Sequence, residues 1–434
     1  MKSFINILVL FSLLLFAISS YAQVAKGSSG TFALTNATIE TVTNGTQSGT
    51  LVIQDGKITA IGESVSVPEG ATTIDCSGLT IYPGMIDGGT RLGLSEVGSV
   101  SLTQDYSEVG DITPQMKALT AVNPNSVSIP VTRVSGVTTA LAVPSGGIFP
   151  GTAVLIHLHG YTPAQMFGGY DGIVLRFPVS GRRSRFDRRS EEDIKKAKEK
   201  ALERLNDTWE KAILYAKIAD QHAAGKGEAP AYNPEMAALA PATQGKTSVL
   251  IEVNAVADIR SAIEWVEKNK VKAVFTGVAE GWRAAKELAE AKIPVITGPV
   301  LSTPTRAADQ YDRPYANAGL MHKAGVKVAI RTNDAENVRN LPFNAGFAAT
   351  YGMGKEAALR AITIVPAEIF GLEEQIGSLE VGKVANLFVA DGDPFEPKTQ
   401  IRHLFIRGWD IPLDSRHIQL YQEFLERSPG VERE

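Results

Sequence analysis

Cysteine is nearly absent from this chain. Cys76 is the only one in 434 residues, so no intramolecular disulfide can form. An excess of either charge is lacking as well: 43 Lys and Arg against 47 Asp and Glu give a formal charge of -4. Bulk electrostatics therefore point to neither nucleic-acid nor membrane-surface binding. Internal repeats and low-complexity tracts are missing, which excludes solenoid and array architectures. Apolar residues at 44% and charged residues at 21% are ordinary for a globular protein. The length suits one large α/β barrel with a smaller companion.

The first residues stand apart. Lys2 precedes a nearly all-apolar run from Ile5 to Ala17, and Ser20-Tyr21-Ala22 places small residues before a cut. This pattern predicts a secretory signal peptide over residues 1–22, cleaved before Gln23. The apolar run is short for a membrane span, and no Cys follows it for lipid attachment. A periplasmic or secreted protein without a stable membrane anchor is expected.

Residues 23–82 read as short strands with Asn44-Gly45 and Asp55-Gly56 hairpin turns. A few short strands cannot bury a core alone. Similar strands recur over 376–415, so the two ends are expected to form one composite β-sandwich. Between them, over 83–375, apolar runs alternate with amphipathic segments, which predicts parallel βα units closing as a (β/α)8 barrel. Examples are Val249 to Val253 before Ala257 to Lys268, and Ala273 to Phe275 before Glu280 to Ala291. A charged helical pattern from Ser190 to about Ala223 belongs to an expected insertion at about 160–245. Arg182, Arg183, Arg185, Arg188 and Arg189 precede it, readable as an anion or partner site or as a solvated loop. Residues 416–434 form a tail.

Three motifs carry a family resemblance: Pro83-Gly84-Met85-Ile86-Asp87; Asn337 to Pro342 with Ala357 to Thr363; and Ile376 to Pro394. From about Thr31 to Gly408 the chain resembles secreted, imidazolonepropionase-like members of the amidohydrolase superfamily. The resemblance implies a metal-dependent barrel hydrolase of C–N bonds in non-peptide or dipeptide amides. It also implies a His pair after strand 1, a His after strands 5 and 6, an Asp after strand 8 and, in many members, a carboxylated Lys after strand 4. Those positions hold Gly88 and Thr90, Asn254, Thr276 and Asn333 here, and no strand 4 Lys can be placed.

These substitutions bear directly on the chemistry. A metal lowers the pKa of bound water from about 15.7 to about 7, roughly 12 kcal/mol of help in making hydroxide. Neutral Asn, Thr and Gly are poor ligands for that task. No metal site is expected, and zinc only if the catalytic alternative holds. The expectation is a pseudoenzyme that keeps its mouth as a surface for a small molecule or short peptide. Its candidate binding residues are Asn254, Thr276, Asn333, Thr90 and Arg331. A homo-oligomer and pairing with a catalytically complete relative both stay open. The alternative is an active hydrolase using a displaced metal site or acid–base work by Asp334 and Glu252. Asp87 is expected to stabilise a strand end, Glu280 to satisfy a helix N-terminus, and His157-Leu158-His159 to be structural within a hairpin segment.

Overall fold

A computed structural model describes residues 27–181 and 187–427. The expected signal peptide and Arg182, Arg183 and Arg185 lie outside the described residues. Five strands come first: β1 (Phe32–Glu40), β2 (Thr46–Gln54), β3 (Lys57–Gly62), β4 (Thr72–Asp75) and β5 (Thr80–Pro83). Eight more build a second sheet: β6 (Met85–Thr90), β7 (Val137–Ala142), β8 (Gly151–His157), β9 (Phe167–Arg176), β10 (Val249–Val253), β11 (Ala273–Gly277), β12 (Val295–Thr297) and β13 (Val328–Ile330). The chain then returns to the first sheet with β14 (Leu387–Ala390), β15 (Ile401–Ile406) and β16 (Trp409–Asp410).

The first sheet runs β16-β15-β14-β5-β1-β2-β3, with β4 beside β1. Strand β14 pairs antiparallel with β5, setting Leu387 against Pro83 and Ala390 against Thr80, so both ends of the chain share this sheet. It buries its own core of Leu34, Ile39, Leu51, Ile53, Leu387 and Phe405. Asp55-Gly56 is the expected turn between β2 and β3, with both residues at positive φ as a type I′ hairpin requires. Gly84 alone separates β5 from β6. A Cβ there would lie 2.2 Å from the Thr138 hydroxyl oxygen, so only glycine lets the chain pass from sheet to barrel.

The second sheet, β6 to β13 in chain order, curls into a nearly closed barrel. Apart from β9, its strands are almost wholly buried, as a sheet covered on both faces requires. Not every unit is parallel, however. Strand β8 runs antiparallel to both β7 and β9. Residues 143–150 link β7 to β8 directly, a span shorter than the dozen or more residues a parallel crossover needs. This is the hairpin expected around His157. Strand β9 is the barrel's fourth strand although it falls inside the stretch expected to be an insertion. What is added there is the helix Glu191–Ala223, with the helix Pro234–Thr243 packed on it.

Ser190 caps that long helix through a hydrogen bond from the Asp193 N–H, and Glu191, Glu192 and Asp193 oppose its dipole. Glu280 also meets a helix N-terminus, but of the helix before it. Its carboxylate accepts from the Val256 N–H at 2.9 Å and pairs with Arg306.

Candidate active site at the barrel mouth

Alternation along β10 places Glu252 and Asn254 on one side, at the end where the parallel strands finish. Glu252 stands opposite Thr276 on β11. The Thr276 hydroxyl donates to Glu252 Oε2 at 2.8 Å, and Asn254 Nδ2 donates to Oε1 at 3.2 Å. Arg331, just past β13, completes the cluster. Its guanidinium grips the same carboxylate with both arms, Nη1 to Oε2 at 2.8 Å and Nη2 to Oε1 at 2.9 Å. The Arg331 side chain is 3% exposed and that of Glu252 27%. Burial alone would raise the Glu252 pKa; the charge and hydrogen bonds of Arg331, with Thr276 and Asn254, reverse that and hold it below the usual range. Glu252 is thus ionised at neutral pH and already satisfied.

The remaining expected residues sit differently. Asn333 has a left-handed φ of 53°, its backbone N–H donates to Gly89 O at 2.9 Å, and its side chain lines a cavity. Thr90 is buried; its hydroxyl donates to the Asp334 carbonyl and accepts from the Leu92 N–H at 3.0 Å. The Asp334 carboxylate accepts from the N–H groups of Glu336 at 2.8 Å and Asn337 at 3.0 Å, just ahead of the turn Asn337–Asn340. Burial would raise its pKa, but those N–H groups hold it low. Neither Thr90 nor Asp334 lines a cavity with the Glu252 cluster. Asp87 is fully buried and binds the N–H and hydroxyl of Thr332 and the Gly89 N–H, tying β6 to the chain beyond β13.

The residues at the mouth do not fit the divalent ion that the family resemblance implies. Among the described residues no three His, Cys, Asp or Glu side chains gather as a metal-ligating group. Space at strand 1 is closed as well. A Cβ on Gly88 would lie 2.5 Å from Ile296 Cγ2 and 3.2 Å from the Ile330 carbonyl oxygen. The one carboxylate in the cluster already holds a guanidinium, and no hydrolytic step through a metal is derived for this donor set.

Strand reversal explains the literal His-x-His. The end of β8 lies at the opposite rim of the barrel from the mouth. There His157 is buried, with Nδ1 3.2 Å from Asn386 Nδ2 and 3.4 Å from the Thr139 hydroxyl. The His159 ring packs beside Trp409, 5.5 Å between centroids. Burial, with Arg407 nearby, pushes the His157 pKa down to about 4.

Two cavities flank the Glu252 cluster. The smaller, of about 140 Å³, is lined by Trp282, Ser302, Thr303, Arg313, Arg331 and Asn333 among others. The larger, of about 790 Å³, runs from Glu252 and Asn254 to the helix Glu191–Ala223. Arg176, which ends the fourth barrel strand and faces this cleft, was missed from sequence. An apolar run ending in a basic residue, directly before Phe177-Pro178, was the available signal.

A barrel whose strand ends meet at one mouth, beside a sheet built from both chain ends, defines an amidohydrolase-type fold. Residues 285–409 match the amidohydrolase family model. The amidohydrolase tasK of Hapsidospora irregularis is 24% identical over 381 residues, covering 80% of this chain. The match spans only 38% of that longer protein. An amidohydrolase from Thermotoga maritima MSB8 superposes with a TM-score of 0.77 at 25% identity, over 88% of this chain and 99% of that one. A molinate hydrolase shares the fold at a TM-score of 0.55 and 18% identity, over 89% of this chain and 95% of that one. The chain shares the amidohydrolase fold, and the family match lies in its residues 285–409.

Proposed function

We infer that this chain is an amidohydrolase-superfamily barrel that binds a small molecule or short peptide at its mouth without metal-activated water. Nominally it is a hydrolase of C–N bonds; in this reading it is a binding or partner subunit, exported to the periplasm or secreted. One observation carries the reading. The carboxylate nearest the expected metal position is held in a fork by Arg331 and flanked by the neutral Thr276 and Asn254. A cation is already part of the polypeptide there. Asn254, Thr276, Asn333 and Arg331 remain the binding candidates at the mouth. Among the described residues no helix is long and apolar enough to cross a membrane.

The amidohydrolase names of two relatives favour a second reading, an active hydrolase using a displaced metal or Glu252 and Asp334. Both carboxylates are held at low pKa and are weak bases at neutral pH. Metal analysis of the purified mature protein, with a screen of amides and dipeptides, separates the two readings. Absence of bound metal and of turnover is expected. Stoichiometric zinc with turnover abolished by Asp334→Ala would overturn the binding reading.

A further inference from the structure

The 790 Å³ cleft has no role in what has been described so far. One wall is the mouth end of β9 and β10, with Arg176, Phe177, Glu252 and Asn254; the other is the helix face of Ile194, Ala197, Lys198, Ala201 and Arg204. Its volume falls within the roughly 300–1,000 Å³ of sites that enclose small-molecule ligands, whereas the 140 Å³ cavity lies below it. The two cavities share Glu252 and Asn254, so the cleft lies directly beside the mouth.

Charge gives the cleft its chemistry. Its basic side chains are Arg176, Arg189, Lys198, Lys200 and Arg204, and its acidic ones Asp111, Glu252 and Asp258. Every acid has a partner: Arg204 holds Asp111, Lys198 holds Asp258 and Arg331 holds Glu252. Arg189 is paired with Asp187. Arg176 donates only to the neutral Gly146 carbonyl, and Lys200 forms no ion pair among the described residues. Two positive charges therefore lack a counterion among the described residues, one on each wall, beside the apolar side chains of Ile148, Phe177, Ile194 and Ala197. The helix terminus is not the source of the attraction, since Glu191, Glu192 and Asp193 fill its first turn.

We propose that this cleft is a ligand site for a short acidic peptide, its carboxylates held by Arg176 and Lys200 and its apolar side chains by Ile148, Phe177, Ile194 and Ala197. The proposal rests on the binding reading above and names its ligand class. A guanidinium suits a carboxylate through two parallel hydrogen bonds, and an ammonium acts as a point charge. Selection between acidic and neutral peptides then comes from these two groups.

The test is calorimetric titration of the intact mature protein with three tetrapeptides, each having two central leucines flanked by glutamates, glutamines or lysines. The glutamate peptide is expected to bind at least about tenfold more tightly than the glutamine one, weakening as salt rises. The Arg176→Gln/Lys200→Gln double variant is expected to erase that preference while its melting temperature is unchanged, because both side chains are exposed. Equal binding of the three peptides, or none of them up to millimolar concentration, overturns the proposal. So does an undiminished preference in the double variant. Loss of all binding in Asn333→Ala, which lines only the smaller cavity, with none in the double variant, would place the ligand in the mouth. That result sinks the cleft site and leaves the binding reading standing, and metal-dependent turnover would sink the latter separately.

Discussion

Asp87 and Thr332 lie 245 residues apart, yet the Asp87 carboxylate takes both the N–H and the hydroxyl of Thr332 across the seam between the first and last barrel strands. Burial pushes the Asp87 pKa up to about 6 against hydrogen bonds that pull it down. An acid with a raised folded pKa contributes stability that is complete below its unfolded value near 3.8 and is lost as pH rises through about 6. The shift corresponds to about 3 kcal/mol. Asp87→Asn should remove this loss, flattening the stability curve between pH 4 and 6 in urea titrations. A variant curve parallel to the wild type would show that Asp87 does not titrate there.

His157 gives the opposite sign. Its folded pKa of about 4 lies below the ordinary 6.5, so its neutral form is favoured by folding. Stability from this group is present above pH 6.5 and falls as pH drops toward 4, again by about 3 kcal/mol. His157→Gln should lessen the acid-side loss, and the double variant with Asp87→Asn should be the flattest of the set. Chemical shifts of the His157 ring, followed by NMR, report the same titration directly.

Truncating Arg331 leaves Glu252 as a largely enclosed charge without its partner. Arg331→Met should cost about 3–5 kcal/mol, and adding Glu252→Gln should restore much of it. Denaturant melts of the four proteins in a double-mutant cycle measure the coupling. Independent, additive losses would refute a functional pairing of the two.

Restoring the missing strand 1 histidine should fail. Gly88→His drives a side chain into Ile296 and the Ile330 carbonyl, at a cost of about 1–3 kcal/mol or more. Zinc added to the variant should raise its melting temperature no more than it raises that of the wild type. A zinc-specific rise would mean that the strands yield and the site can be rebuilt.

Much of the architecture was legible because periodicity and turn chemistry are local. Asp55-Gly56, the Ser190 cap and the apolar runs of β10 and β11 each declare themselves within a few residues. Asn254, Thr276 and Asn333 could likewise be set at strand ends, by counting strands against the family pattern. What escaped depends on closure. Nothing near Gly88 announces that Ile296 fills the space above it. Nothing near Arg331 announces that Glu252, 79 residues earlier, is its partner. Thr90 and Asp334 looked available as functional groups, but backbone groups take both: the Thr90 hydroxyl bonds the distant Asp334 carbonyl and the nearby Leu92 N–H, and the Asp334 carboxylate the N–H groups just after it.

The pairing of β14 with β5 has a consequence for biogenesis. Strand β14 is no appendage at the margin of the first sheet; it is the strip that covers the edge of β5. A chain emerging from its N-terminus must therefore carry β5 as an open edge, able to pair with other molecules, until nearly the whole polypeptide has been delivered. Completion of the sheet is a ring-closing event between beginning and end. Shortening the chain from its C-terminal side would reopen that edge, and self-association should follow before the barrel itself is touched.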